Sequence, residues 1–111
     1  MKRGDIFLVD FEPSRGAEIK KKRPALVISG DQANRYLRTV TVIPFSSKTD
    51  KVYPFEVLVK KEESRLPVDS KLKIAQMRAV DKARLTSYVG TLHDDTLAAV
   101  ERAIKLHLDM D

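Results

Sequence analysis

Cysteine is absent from the chain, and histidine and glycine are scarce. Without cysteine there are no disulfide staples and no thiolate metal sites, a composition suited to a reducing cytoplasm. The two histidines, His93 and His107, lie near the two ends of one C-terminal segment, a poor arrangement for an acid–base dyad. Metal binding needs clustered His, Asp or Glu. The adjacent acids Asp94-Asp95 and Glu62-Glu63 have no such cluster around them and read as a helix start and a solvated turn, so no metal and no cofactor is expected. The glycines stand alone at 4, 16, 30 and 90, which excludes a phosphate-cradling glycine loop and a G-x-S-x-G elbow. No apolar run approaches the ~20 residues of a membrane span. Met1 to Asp5 leads into a short apolar run without the features of a secretory signal, so a cytoplasmic protein is the expectation.

What the chain does carry is positive charge. Its 111 residues have a net charge of +5, with an isoelectric point near 9.6. Residues 1–93 contain 19 Lys and Arg against 11 Asp and Glu; residues 94–111 contain 2 against 5. The body is therefore basic and the tail acidic. A basic body calls for an anionic partner, most simply a nucleic acid, or else is a solvated surface without one.

The hydrophobic pattern predicts strands over Asp5–Asp10, Pro24–Ser29, Thr39–Ile43, Phe55–Lys60, Ser70–Met77 and Leu85–Leu92. Pro24 should open its strand and Pro44 should end the next. A short helical turn fits the polar connection Gly30–Leu37. One amphipathic helix is expected over Asp94–Leu108, with Leu97, Val100, Ile104 and Leu108 on a single stripe. One domain follows, residues 1–111, mainly β with one helix: about 5–7 short strands curled into a small open β-barrel, with the C-terminal helix packed against it.

Two segments stand out for chemistry. One is the basic run Lys20-Lys21-Lys22-Arg23; the other is the hydroxyl-rich loop that begins Ser46-Ser47-Lys48 and reaches Lys51. RNA can be cut with such parts. Its own 2′-OH attacks the neighbouring phosphorus, so the protein needs only to promote proton transfer and hold charge on the phosphorane oxygens. An arginine offers a rigid fork of donors to phosphate, and a serine adds a hydroxyl. DNA, lacking the 2′-OH, would be spared.

The run Lys2-Arg3-Gly4-Asp5-Ile6-Phe7-Leu8-Val9-Asp10-Phe11-Glu12-Pro13, then Gly16-Ala17-Glu18, then Arg23-Pro24-Ala25-Leu26-Val27-Ile28-Ser29 resembles the MazF/PemK family of toxin–antitoxin endoribonucleases. The likeness continues through Val42 to Ser47, Tyr53 to Val57 and Ala75 to Asp81, nearly the whole chain. It implies an SH3-like open barrel, usually a homodimer. It implies sequence-specific cleavage of single-stranded RNA to 2′,3′-cyclic phosphate and 5′-OH ends. It implies a MazE-like antitoxin partner whose flexible segment fills the RNA groove. The family's catalytic arginine falls on Arg23, its catalytic threonine on Ser46, its loop acid on Glu18 and its strand glutamine on Gln76. Two departures stand out. The family's glycine-rich first loop is here the stiffer, cationic Ile19-Lys20-Lys21-Lys22, and serine replaces threonine at 46, which frees the hydroxyl's rotamer.

Each candidate has a second reading. Arg23 is either catalytic or a strand-start partner of Asp10 or Glu18. Ser46 is either catalytic or a loop cap, with Ser47 its rival. Lys20, Lys21, Lys22, Ser47, Lys48, Lys51, Gln76 and Arg78 are candidate RNA contacts, or solvated and structural residues. Glu18 either orients Arg23 or assists proton transfer. Tyr36, Phe45, Tyr53 and Phe55 flank the loops; core filling is expected of both phenylalanines. Two other functions stay open: a toxin of the same fold that poisons DNA gyrase, and a catalytically silent RNA-binding regulator.

Overall fold

A computed structural model describes residues 1–18 and 21–111. The chain order is β1 (Asp5–Asp10), β2 (Lys22–Val27), α1 (Asp31–Tyr36), β3 (Thr39–Ser46), β4 (Glu56–Val59), α2 (Lys61–Ser64), β5 (Ser70–Lys73), β6 (Arg78–Asp81), β7 (Leu85–Thr91) and α3 (Asp94–His107). The seven strands form one antiparallel sheet in the order β4-β5-β3-β2-β1-β7, with β6 paired to β3. β4 and β7 remain edges, so the sheet curls without closing.

β3 is the axis of the fold. On one side it pairs β2 through Ala25–Pro44, Leu26–Ile43 and Val27–Val42. On the other it pairs β6 over Thr39–Val42 and β5 over Phe45–Ser46. Pro44 thus lies inside the strand rather than ending it. The Thr41 carbonyl accepts from the Ile28 N–H. The two-residue period then turns residues 41, 43 and 45 toward β2 and Pro44 toward the opposite side. There its nitrogen meets the gap between the β6 and β5 pairings, where no donor is needed. Pro24, expected to open the second strand, stands two residues into β2, opposite Leu8.

Alternation along the strands builds two apolar clusters. Ile6, Leu26, Ile43, Phe45, Leu72 and Ile74 meet Leu97, Val100 and Ala103 of α3 on one side. Val9, Phe11, Ala25, Val27, Val40, Val42 and Val80 pack on the other. Each fully buried large side chain contributes about 1.5–3 kcal/mol.

Three further expectations change. The fifth strand ends at Lys73; Ile74–Gln76 form a 3₁₀ turn, and a separate strand β6 follows. The alternation of Leu72 and Ile74 with lysines suits strand and turn alike, because both apolar residues need only face α3. The helix stops at His107 and leaves Leu108 about half exposed, while Ala103 joins its buried stripe. Phe45 fills the core, but Phe55 is exposed and meets His107 edge-on with ring centroids 6.0 Å apart. Gly90 is required by packing: a Cβ there would sit 3.1 Å from the Ser64 carbonyl oxygen.

Candidate active site

Arg23 lies near the start of β2 and Ser46 is the last residue of β3. The β2–β3 ladder's last pair is Ala25–Pro44. The β2–β3 pairing stops there, two residues short of Arg23 and Ser46, which lie at the same end of the two strands. Both are partly buried, and the Ser46 hydroxyl accepts from the Lys48 N–H at 3.3 Å. Arg23 also lines a cavity of about 270 Å³ with Pro24, Phe45, Ser47, Leu66, Pro67, Val68 and Ser70. The wall beside the arginine therefore includes Ser47, the rival hydroxyl, and not Ser46.

Glu18, Gln76 and Arg78 come together elsewhere. With Phe11, Ala75 and Met77 they line a second cavity of about 280 Å³. Glu18 is exposed and accepts from the Arg15 N–H. Gln76, read as a strand residue, is in the 3₁₀ turn and donates to the Ala17 carbonyl at 3.3 Å. The Arg78 guanidinium lies over the Phe11 ring, 5.9 Å from its centroid. Among the described residues its Nη1 is buried without a hydrogen-bond partner.

The lysines divide. Lys20 lies outside the described residues, as does Ile19. Lys21 and Lys22 are exposed, and the Lys21 N–H donates to the Glu12 carboxylate. Lys48 and Lys51 are exposed on the loop that follows β3. Among the described residues no group of His, Asp or Glu gathers as a metal site, and no helix is long and apolar enough to cross a membrane. His93 is exposed, with Glu63 3.8 Å away.

Two residues that sequence reasoning left out hold the hydroxyl-rich loop. Lys71 pairs with Ser46 across β3 and β5. Its Nζ is 2.9 Å from Glu56, with side chains only 7% and 8% exposed. The same ammonium donates to the Lys51 carbonyl at 2.7 Å and sits 5.7 Å from the Tyr53 ring centroid. Glu56 also accepts from the Tyr53 N–H at 3.0 Å and from Lys73 at 3.0 Å. Burial alone would push the Glu56 pKa up. The hydrogen bonds from Lys71, Tyr53 and Lys73, with the charge of Lys73, outweigh it and bring it from 4.5 to about 2. The far end of the loop is thereby tied to β5, and its near end is Ser46. In sequence, Lys71 and Lys73 look like the wet side of an amphipathic strand. Only the β4–β5 register, which opposes Glu56 to Lys73 and Leu58 to Lys71, shows otherwise.

Four likenesses, one to a family and three to known proteins, accompany this geometry. Residues 2–108 match the family model described as PemK-like, MazF-like toxin of type II toxin-antitoxin system. The chain is 40% identical over 115 residues to endoribonuclease MazF9 of Mycobacterium tuberculosis, covering 99% of this chain and 98% of that protein. Its fold superimposes on the crystal structure of MazF from Deinococcus radiodurans with a TM-score of 0.85, at 27% identity, covering 99% of this chain and 97% of that one. A mycobacterial endoribonuclease solved in complex with its cognate antitoxin shares the fold at TM-score 0.83 and 17% identity, covering 100% of this chain and 97% of that one.

Proposed function

Since the chain belongs to the PemK-like, MazF-like toxins of type II toxin-antitoxin systems, we propose that it is an endoribonuclease that cuts single-stranded RNA without a metal ion. What supports this reading is that β2 and β3 are antiparallel neighbours in a basic domain, with Arg23 near the start of one and Ser46 at the end of the other. Arg23 donates to the non-bridging oxygens of the scissile phosphate as charge builds on the phosphorane. Ser46 donates to the same group or relays a proton, with Ser47 as the alternative hydroxyl. The substrate's 2′-OH is the nucleophile and the 5′-oxygen leaves, so the products end in 2′,3′-cyclic phosphate and 5′-OH.

Lys21, Lys22, Lys48 and Lys51 contact the RNA backbone from the rim; Lys20 belongs to the same basic run. Glu18, Gln76 and Arg78 contact the substrate from their shared cavity rather than from the wall beside Arg23. A second copy of the chain and an antitoxin protein are the proposed protein partners. The solved relative bound to its cognate antitoxin supports the latter.

End-group analysis of products tests the chemistry. RNA digested by the protein should give 5′ ends that a polynucleotide kinase labels without prior phosphatase treatment. Its 3′ ends should resist ligation until the cyclic phosphate is opened and removed. Products with 5′-phosphate and 3′-OH ends would overturn the mechanism. Gyrase inhibition by a protein that leaves RNA intact would replace it with the topoisomerase-poisoning alternative.

A further inference from the structure

The cavity of Phe11, Glu18, Gln76 and Arg78 has a feature the cutting chemistry does not use. Arg78 lines it, and among the described residues the buried Nη1 of its guanidinium has no hydrogen-bond partner. A buried donor left unsatisfied is unfavourable, and a charged one more so, so an acceptor that reaches this N–H is favoured there. The Phe11 ring lies within cation–π reach of the guanidinium, its centroid 5.9 Å from Cζ. The cavity, about 280 Å³, has room for a planar ring.

RNA offers acceptors on its phosphates, on its 2′-hydroxyls and on the edges of its bases; of these, only a base is a flat group that fills a cavity of about 280 Å³. The second titratable group points the same way. Glu18 lines the same cavity. A carboxylate repels a phosphate, and Glu18 keeps acceptor capacity beyond the Arg15 N–H it already holds. The matching group is neutral and flat, and carries an N–H beside a carbonyl oxygen. Guanine and uracil both present that edge, through N1–H with O6 and N3–H with O4 or O2. Adenine and cytosine carry no ring N–H on their pairing edge.

We propose that this cavity is a nucleobase subsite selective for an oxo base, with Arg78 donating to the carbonyl and Glu18 accepting from the ring N–H. The inference builds on the RNA-cleaving reading and adds a specificity determinant to it. The Gln76 amide donates to the Ala17 carbonyl and so ties the cavity to the first loop, next to Glu18.

The test reads binding, so it does not depend on cleavage. A randomised pool of single-stranded RNA with uncleavable 2′-fluoro riboses is selected on the parent protein and on Arg78→Met. Sequences held by the parent should carry G or U at one fixed position. Inosine there should be accepted, because it keeps the N1–H and O6 edge. Adenine or cytosine there should weaken binding about tenfold or more. In Arg78→Met the preference at that position should fall to less than about threefold, with preferences elsewhere retained. Arg78→Met is first shown by its melting curve to be folded, and Arg78→Lys, which restores a donor without the fork, serves as a second variant expected to be intermediate. The proposal is overturned if no position is restricted to G or U, or if the restriction survives in Arg78→Met. It is equally overturned if both variants weaken all sequences in parallel, the mark of a phosphate contact. A parent that binds with the expected selectivity yet cuts no RNA would refute the enzymatic reading and leave this subsite standing.

Discussion

Replacing Glu56 by glutamine would keep the shape of the side chain and remove its charge. The structure sets the size of the effect. Glu56 accepts from Lys71, from Lys73 and from the Tyr53 N–H, and its carboxyl is lowered from 4.5 to about 2. That lowering corresponds to about 3 kcal/mol of folding stability at pH 7. Breaking a buried ion pair from one side costs roughly 3–5 kcal/mol, a compatible range. The group titrates lower in the folded state than in the unfolded one, so its contribution is complete above about pH 4.5 and vanishes as the pH falls through 2. Urea unfolding of parent and Glu56→Gln should therefore differ by about 3 kcal/mol at pH 7 and by less than half of that at pH 3. The melting temperature at pH 7 should drop by roughly 10 °C or more. The double variant Glu56→Leu with Lys71→Met should recover much of the loss, because no charge is then left buried alone. A Glu56→Gln protein within about 0.5 kcal/mol of the parent at pH 7, or a gap that does not narrow in acid, would refute the reasoning.

Other perturbations test other levels of the structure. Phe45→Ala removes a core side chain that also lines the Arg23 cavity. It should lower stability by about 3–5 kcal/mol by calorimetry, and more than Phe55→Ala, whose ring is exposed. Binding of single-stranded RNA should weaken steeply with salt. Replacing Lys21 and Lys22 together by alanine should flatten the plot of log affinity against log salt by about 0.7 for each lysine that contacts phosphate, without changing sequence preference. An unchanged slope would make those lysines solvated surface.

Much of the fold was legible in the sequence because its strands carry strong local signals. Asp5–Asp10 is recovered to the residue, and α3 differs only at its last position, where Leu108 caps rather than packs. What was hidden depends on partners distant in sequence. The place of Pro44 inside a strand follows from β3 changing neighbours from β6 to β5, which no local pattern records. The same holds for Lys71 and Glu56. A lysine in an alternating strand reads as solvent-facing until the strand opposite supplies a buried carboxylate and a loop carbonyl. For the candidate site, charge and hydroxyls drew attention to the segments around Arg23 and Ser46. Which residues share a cavity was not readable: Ser47 joins Arg23, whereas Glu18 joins Gln76 and Arg78.

The most direct test of the central claim is RNA cleavage in excess EDTA by the parent and by a folded Arg23→Ala protein, on one long defined single-stranded RNA. The parent should cut at a few discrete positions, and Arg23→Ala should lose about 100-fold or more of that rate while melting like the parent. RNA that stays intact with the folded parent, or an Arg23→Ala protein that cuts as fast at the same positions, would contradict it.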